Sequence, residues 1–210
     1  DVGSLSGMVF DDRNGNGTRQ SSTEPGIASR TVYLDLNNNG RQDAKEPARL
    51  TDSGGNFRFN GLALGTYKLR QVLPSGWRQT NPAKGYGFTH VVQAGQEIGN
   101  RRFGATSKPL IAGRVFSDKD ADGRLDAGES GLSGWRVFWD VNANGSWSSD
   151  EASALTDSTG YWRFTSLPAG TYRFAVVQIV GFSPTSPRSV TVTAASGQVI
   201  ETVNFAQRPI

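Results

Sequence analysis

The stretch LTDSGGNFRFNGLALGTYKL, from Leu50 to Leu69, decides the fold. Two short runs within it, FRFNG and TYKL, alternate apolar and polar residues, as β-strands with one buried face do. Between them, Leu62 can enter a core and Gly65 permits a tight bend. Tyr67 starts the next strand, where its hydroxyl can bond to nearby backbone at a sandwich corner; the alternative is an exposed binding tyrosine. The stretch therefore predicts a strand, a corner and a second strand.

The same stretch occurs again as LTDSTGYWRFTSLPAGTYRF, from Leu155 to Phe174. GMVFDDRNGNG at Gly7 matches GRVFSDKDADG at Gly113, and TVYLDLNNNGRQDAKE at Thr31 matches RVFWDVNANGSWSSDE at Arg136. Self-similarity at a nearly constant offset indicates two copies of one structural unit. We predict two tandem domains, residues 1–106 and 107–210. Each would have six or seven short strands in an all-β sandwich with long-range Greek-key pairing.

The composition agrees with short strands joined by tight turns. The 210 residues include 26 glycines and no cysteine, so neither a disulfide nor a thiolate metal site is available. No apolar run approaches membrane-spanning length, and we expect no membrane insertion. Residues 1–106 carry 13 basic and 9 acidic side chains, and residues 107–210 carry 9 and 10. The bases are scattered along strands, so we interpret them as a solvated surface and expect no nucleic-acid binding.

The segment SDKDADGRLDAGESG, from Ser117 to Gly131, places five acidic side chains within twelve residues. Calcium takes six to eight oxygen ligands. A twelve-residue loop supplies them from side chains at positions 1, 3, 5 and 9, a carbonyl at position 7 and a bidentate glutamate at position 12. Gly123 stands at position 6, where glycine permits the sharp turn. The predicted ligands are Asp118, Asp120, Asp122, Arg124 through its carbonyl, Asp126 and Glu129.

Three further loops follow this spacing completely or in part. The loop DLNNNGRQDAKE offers Asp35, Asn37, Asn39, Arg41 through its carbonyl, Asp43 and Glu46. The loop DVNANGSWSSDE offers Asp140, Asn142, Asn144, Ser146 through its carbonyl, Ser148 and Glu151. The loop DRNGNGTRQSSTE offers Asp12, Asn14, Asn16 and Thr18, but it has Gln20 at position 9 and Glu24 at position 13. We interpret this last loop as degraded or rearranged.

Ordinary hairpin turns are the alternative, because Asp-Gly and Asn-Gly favour turns by themselves. Turns do not need a glutamate six residues beyond the glycine, and two such loops in each repeat favour calcium. We predict three to four Ca²⁺ sites; magnesium is disfavoured because it retains its waters. The Asp118 loop has the most carboxylates and is expected to fill first. Asp52 and Asp157 are candidates for additional ligands, but as hairpin residues they are interpreted as turn formers.

These motifs resemble the SdrD B-like repeats of bacterial surface proteins, which are related to the Cna protein B-type domains. The resemblance is carried by VFDDRNGNG, YLDLNNNGRQDAKE, LTDSGGNFRFNGLALGTYKL and their partners in the second unit, and it covers nearly all of both repeats. It implies a prealbumin-like Greek-key sandwich, calcium in the Asp/Asn loops and an extracellular or cell-surface location. It also implies a stalk or spacer role beside a separate ligand-binding region, with neighbouring repeats of the same parent protein as partners.

Some B-type relatives carry an internal Lys–Asn isopeptide bond promoted by a glutamate four residues after the tyrosine of the GxY motif. Gln71 and Val176 stand at those places here, and the first strands GMVF and GRVF contain no lysine. The resemblance therefore does not extend to an isopeptide bond, and calcium would be the remaining staple.

A binding module is the alternative function. Four tryptophans are concentrated in the second unit, and aromatic side chains on a β-sandwich can bind sugar rings: Trp135, Trp139, Trp147 and Trp162. Leu34 and Phe57 take the places of Trp139 and Trp162 in the first unit, which favours the core for those two. Trp147, inside a predicted calcium loop, is the candidate for an exposed contact. The chain would then be a calcium-dependent adhesin module for a cell-wall or host glycan or protein.

An enzyme has little support in the sequence. His90 is the single histidine and lies in the alternating run GFTHVVQ, with no nucleophile arranged around it. Paired carboxylates occur only in the predicted metal loops. We expect no catalysis.

Overall fold

The computed structural model describes residues 1–210 apart from the side chain of Lys84. The chain divides into two compact units, Asp1–Lys108 and Pro109–Ile210, and the proposed domain limits lie close to this division. Each unit consists of two β-sheets, and the predicted all-β fold of two Greek-key sandwiches is confirmed. None of the described segments forms a helix long and apolar enough to cross a membrane.

The first unit pairs strands that are distant in sequence. Its strands are β1 (Gly3–Asp11), β2 (Thr31–Leu34), β3 (Ala48–Leu50), β4 (Asn56–Leu62), β5 (Gly65–Gln71), β6 (Arg78–Asn81), β7 (Phe88–Val92) and β8 (Glu97–Thr106), with a 3₁₀ turn at Ala83–Gly85. One sheet has the order β4-β1-β8-β6 and the other β3-β2-β5-β7. β1 runs parallel to β8, and the other neighbours are antiparallel.

The second unit repeats this arrangement. Its strands are β9 (Leu110–Ser117), β10 (Arg136–Trp139), β11 (Ser153–Leu155), β12 (Tyr161–Phe164), β13 (Gly170–Val176), β14 (Phe182–Pro184), β15 (Ser189–Ala194), β16 (Val199–Ile200) and β17 (Phe205–Pro209). One sheet has the order β12-β9-β17-β14, with β16 also paired to β9, and the other β11-β10-β13-β15. β9 and β17 are parallel, as β1 and β8 are.

The predicted strands FRFNG and TYKL lie within β4 and β5, but each unit has more strands than the six or seven expected, with eight in the first and nine in the second. β3 and β6 were not predicted, and the second unit adds the two-residue β16. The sequence of β6, RQTN, contains no apolar residue, so it cannot alternate apolar and polar side chains, and all four residues are half-buried. Such strands form through pairing with a neighbour, so periodicity does not reveal them.

Each unit has its own hydrophobic core between its two sheets. In β4, Phe57, Phe59 and Leu62 are buried, while Asn56, which precedes Phe57, and Arg58, which lies between the two phenylalanines, are exposed. The same alternation places Trp162 in the second core, where its ring packs 5.4 Å from that of Phe174. Trp135 is also buried, and Trp139 packs edge-on against Tyr172 at 5.0 Å. The core positions expected for Trp139 and Trp162 are therefore observed, with Trp139 at the margin.

The tyrosine corner predicted from LALGTY and LPAGTY is confirmed. The Tyr67 hydroxyl donates to the Ala63 carbonyl at 3.1 Å, and the Tyr172 hydroxyl donates to the Pro168 carbonyl at 2.5 Å. Tyr172 is only 3% exposed. These tyrosines join the bend to the following strand, and the structure does not support the alternative of an exposed binding tyrosine.

Candidate metal centres

The four acidic loops begin at the ends of interior strands, one in each of the described sheets. They follow β1, β2, β9 and β10. The N–H of each first aspartate continues the sheet by donating to a neighbouring strand: Asp12 to Ala105, Asp35 to Lys68, Asp118 to Gln207 and Asp140 to Arg173, at 2.9, 2.8, 2.9 and 2.8 Å. Strand pairing thus fixes the direction in which each loop leaves its sheet.

The first aspartate of every loop is buried with its carboxylate turned toward the loop backbone. Asp12, Asp35, Asp118 and Asp140 are 0, 3, 0 and 2% exposed. The glycine at position 6 donates its N–H to aspartate Oδ2 in each loop: Gly17 to Asp12 at 2.7 Å, Gly40 to Asp35 at 3.0 Å, Gly123 to Asp118 at 2.9 Å and Gly145 to Asp140 at 3.0 Å. These glycines have φ of 81, 77, 78 and 73°, a conformation that other residues adopt at a cost.

The side chains at positions 3 and 5 form consecutive turns in all four loops. The position-3 oxygen accepts the N–H of position 5, for Asn14, Asn37, Asp120 and Asn142, at 3.0, 3.0, 3.3 and 3.0 Å. The position-5 oxygen accepts the N–H of position 7, for Asn16, Asn39, Asp122 and Asn144, at 2.7, 2.8, 2.7 and 2.7 Å. The two oxygens are thereby held in one orientation in each loop.

The glutamate that ends each loop returns to its beginning. Glu46 accepts the N–H of Leu36 at 2.7 Å and that of Asp43 at 3.0 Å. Glu129 and Glu151 make the same pair of contacts, with Lys119 and Asp126 at 2.8 and 2.9 Å and with Val141 and Ser148 at 3.0 and 3.1 Å. A carboxylate oxygen has two lone pairs, so each oxygen retains one for a cation.

The Asp12 loop is rearranged, and its glutamate keeps the contact with position 9 but meets the start of the loop at position 3, whereas the other three glutamates meet it at position 2. Glu24 accepts N–H groups from Gln20 at 2.8 Å and Asn14 at 3.4 Å, although it stands one position late. The extra residue is taken up in the final turn, where the Glu24 N–H donates to the Gln20 carbonyl four residues back at 2.8 Å. The other loops close over three residues, as Glu46 does with Asp43 at 3.0 Å. The insertion therefore does not remove the glutamate from the loop.

The Asp118 loop concentrates negative charge. Carboxylate oxygens of Asp118, Asp120 and Glu129 lie within 4.8 Å of one another, and so do those of Asp120, Asp122 and Asp126. The charge of Asp122 raises the pKa of the Asp126 carboxyl above its ordinary value, with smaller contributions from burial, Asp120 and Glu129. Mutual repulsion of this kind favours a bound proton or a bound cation.

The Asp140 loop has a buried carboxylate oxygen without a partner. Among the described residues, none donates a hydrogen bond to Asp140 Oδ1. A buried and unpaired carboxylate oxygen is costly, so the site fits a cation that supplies the missing contact. All side-chain ligands offered by the four loops are oxygens, which is the donor set that calcium prefers.

Two arginines that the sequence analysis missed contact the loops. Arg70 Nε lies 2.6 Å from Asp35 Oδ2, and Arg173 Nε lies 3.1 Å from Asp140 Oδ2. Burial alone would raise the pKa of Asp35, but hydrogen bonds from Gly40 and Arg70 outweigh it and lower that pKa. Arg70 and Arg173 stand at different positions of the repeat, so comparison of the two repeats does not reveal them as a pair. Lys68, the counterpart of Arg173, instead donates to the Asn38 side chain at 2.7 Å.

The remaining predicted positions differ in how they are used. Asp43 Oδ2 accepts the side-chain amides of Asn37 and Asn39, both at 2.8 Å, and Gln20 accepts that of Asn14 at 2.8 Å. Thr18, Arg41, Arg124 and Ser146 lie at position 7 of the loops, where their carbonyls stay predicted ligands, as does the Ser148 side chain. Asp52 and Asp157 accept N–H groups within their own turns, which confirms them as turn formers.

Trp147 is 39% exposed, and part of its surface is used within the molecule. The Arg136 guanidinium lies 4.1 Å from the ring centroid, and the indole N–H donates to the Glu151 carbonyl at 3.3 Å.

His90 lies on β7 with its ring stacked 6.3 Å from Phe88. Burial, with a smaller effect of Arg101, lowers the pKa of His90.

Comparison with known proteins places both units in one family. The family model described as SdrD B-like domain matches residues 3–98 and 110–206. Serine-aspartate repeat-containing protein D of Staphylococcus aureus (strain Newman) is 32% identical over 201 residues, which cover 88% of this chain and 14% of that protein. Serine-aspartate repeat-containing protein F of Staphylococcus epidermidis is 28% identical over 205 residues, which cover 89% of this chain and 11% of that protein. The chain thus spans only a small part of the length of these relatives.

Among solved structures, the minor pilin GBS52 of Streptococcus agalactiae aligns with 99% of this chain and 96% of its own chain. The TM-score is 0.36 and the sequence identity 16%.

Proposed function

The chain belongs to the SdrD B-like domain family, and from this premise we propose that it is a calcium-stabilised structural spacer of a secreted or cell-surface bacterial protein. Its relatives are structural proteins of bacterial surfaces, and the chain is extracellular or displayed at the cell surface. The proposed partners are calcium and neighbouring repeats of the same parent protein. We propose no catalytic role.

The observation that carries the calcium proposal is the repetition of one oxygen-lined arrangement in four loops. Each loop has a buried aspartate, two oriented side chains and a returning glutamate, even where an inserted residue alters the spacing. A cation would give the buried Asp140 Oδ1 the contact that it lacks. In the Asp118 loop, a cation would neutralise carboxylates that lie close together. We propose all four loops as Ca²⁺ sites, held by the residues at positions 1, 3, 5, 7 and 9 and the final glutamate.

The position of the loops suits a mechanical role. Each loop follows an interior strand, so an ion bound there would tie the strand end to a segment of twelve or thirteen residues. The structure offers no helix pair of the kind that calcium sensors reorient among its described elements. Binding to the folded chain alone adds about 2.7 kcal/mol per independent site when free calcium is about 100 times the dissociation constant.

The alternative function, an adhesin module that binds a glycan or protein, depends on Trp147 as its exposed contact. Because Arg136 covers part of the ring and Glu151 accepts the indole N–H, we propose that Trp147 supports its loop. Loss of glycan binding on Trp147→Ala, in a protein that still melts normally, would restore the alternative.

Single-molecule stretching of the full chain tests the spacer function. With calcium bound, we expect both units to unfold at a higher force than in excess EGTA, because the ions hold the strand ends. A variant with all four glutamates replaced by glutamine (Glu24, Glu46, Glu129 and Glu151) should unfold at the low force in both conditions. Equal forces with and without calcium, or a calcium effect retained by the variant, would refute the proposal.

A further inference from the structure

A basic groove lies on the first unit, away from the acidic loops. It has a volume of about 580 Å³ and is lined by residues of β1, β3, β4 and β8. Four arginines contribute to its wall: Arg49, Arg58, Arg101 and Arg102. Asp52 is the single acidic residue among those that line it. The basic excess of residues 1–106, interpreted from sequence as scattered, is therefore partly gathered in one place.

Three of these guanidinium groups have no acidic partner. Arg58 pairs with Glu97 at 2.5 Å, but no carboxylate of the described residues forms an ion pair with Arg49, Arg101 or Arg102. Arg101 Nε is buried and makes no hydrogen bond within the described part of the chain.

Arg101 and Arg102 are successive residues of β8, so their side chains point to opposite faces of the sheet, and Arg102 is the exposed one. Arg49 donates to the Ala48 carbonyl at 2.9 Å and lies 5.6 Å from the Phe59 ring, contacts that leave its charge without an acidic partner. An anionic ligand in the groove would supply the missing negative charge.

The second unit provides an internal comparison. Strand register places Ala154 where Arg49 stands, and Val203 and Asn204 where Arg101 and Arg102 stand. The cavity there is smaller, about 340 Å³, and is lined by Asp157 and Arg163 among others. The second unit has one arginine of its own in this region, Arg114, in place of Met8. The same fold therefore does not require the three unpaired arginines, which points to a role in binding.

The other groups in the groove match sugar chemistry better than peptide chemistry. Guanidinium groups bind sulfate, phosphate and carboxylate oxygens in a bidentate manner. Ser6 and Asn100 offer a hydroxyl and an amide for sugar hydroxyls, and Met8 and Leu50 offer apolar contact. An extended peptide would need backbone partners; β1 and β8 are interior strands whose backbone groups are already paired, whereas β3 and β4 are edge strands, so an acidic peptide paired with one of these edges is the competing occupant that the polyglutamate control tests.

We propose that this groove binds a sulfated polysaccharide chain. The exposed guanidinium groups of Arg49 and Arg102, which have no acidic partner, match a polymer whose sugars carry closely spaced anionic groups. The site is independent of the proposed calcium function, because none of its lining residues belongs to a metal loop.

Calorimetric titration of the full chain in calcium buffer with a heparin decasaccharide tests this assignment. We expect binding that weakens as sodium chloride rises from 0.1 to 0.5 M, because added salt screens the charges. The double variant Arg49→Gln/Arg102→Gln should bind about tenfold more weakly. Both side chains are exposed, so the variant should melt as the parent does. Neutral dextran of similar length should not bind.

The matched control is Arg114→Gln/Arg163→Gln in the second unit, which removes the same charge and should change affinity less than twofold. Equal losses in the two double variants would mean a non-specific charge effect and would overturn the proposal. So would the absence of heparin binding, or equal or tighter binding of polyglutamate or polyphosphate.

Discussion

At the scale of the residue, the first aspartate of each loop carries the most information. Asp12, Asp35, Asp118 and Asp140 are buried carboxylates, which a fold tolerates only when their charge is compensated. The glycine N–H at position 6 supplies one contact in every loop, and Arg70 or Arg173 supplies another in two of them. Compensation is incomplete at Asp140, whose Oδ1 has no described donor.

Asp126 and Asp43 occupy the same loop position in opposite environments. Asp126 faces other carboxylates, whereas Asp43 accepts two side-chain amides. In EGTA, we expect Asp126→Ala to keep or raise the melting temperature because repulsion is relieved. Asp43→Ala should lower the melting temperature by about 4 °C because hydrogen bonds are lost.

In calcium, Asp126→Ala should weaken calcium binding at its loop about tenfold, since a charged ligand is removed. Parallel melts and titrations check this; a large loss of stability from Asp126→Ala in EGTA would contradict it.

The corner tyrosines allow a prediction about packing rather than metal. Tyr172→Phe removes the hydroxyl of a side chain that is only 3% exposed and leaves the Pro168 carbonyl without its donor, which should lower the free energy of unfolding by about 1–1.5 kcal/mol. Tyr67→Phe should cost less, because its hydroxyl contact with Ala63 is longer and exposed. Urea unfolding in calcium measures both, and an equal or larger effect of Tyr67→Phe would show that burial does not control the difference.

At the scale of the element, the Asp12 loop tests whether a loop tolerates an inserted residue. Glu24 accepts the N–H groups of positions 9 and 3 of its loop, Gln20 and Asn14, where Glu46 accepts those of positions 9 and 2, so the carboxylate still turns back to the start of the loop and we expect a working calcium site. Glu24→Gln should remove about one bound calcium per chain and lower the melting temperature in calcium only. Glu46→Gln is the matched control and should do the same. A full calcium count retained by Glu24→Gln but not by Glu46→Gln would mean that the insertion has abolished the site.

Sequence reasoning succeeded where a local pattern determines local structure. Alternation in FRFNG and TYKL marked β4 and β5, and the Asx-Gly spacing marked loops whose contacts repeat four times. It failed where the partner is distant in sequence. β6 is polar and exists through pairing with β8, and the contact of Arg70 with Asp35 depends on the pairing of β2 with β5. The compensated insertion before Glu24 became visible only from the hydrogen bonds of the final turn.

At the scale of the whole molecule, each unit has its own core and its own pair of loops. The first core is centred on Leu5, Phe59 and Phe103, and the second on Val115, Trp162 and Phe205. We therefore expect residues 1–108 and 109–210 to fold separately, each with a cooperative melt and about two bound calcium ions. Calorimetry of the two fragments checks this. A fragment that is unfolded in saturating calcium would show that the units depend on each other.

The most direct test of the central claim is a thermal melt of the full chain in calcium and again in excess EGTA, with bound calcium counted on the purified protein. With two occupied sites per unit, we predict a fall in melting temperature of about 20 °C in EGTA and three to four calcium ions per chain. An unchanged melting temperature, with no calcium bound, would contradict the account. The four loops would then be turns that hold their shape through their own hydrogen bonds.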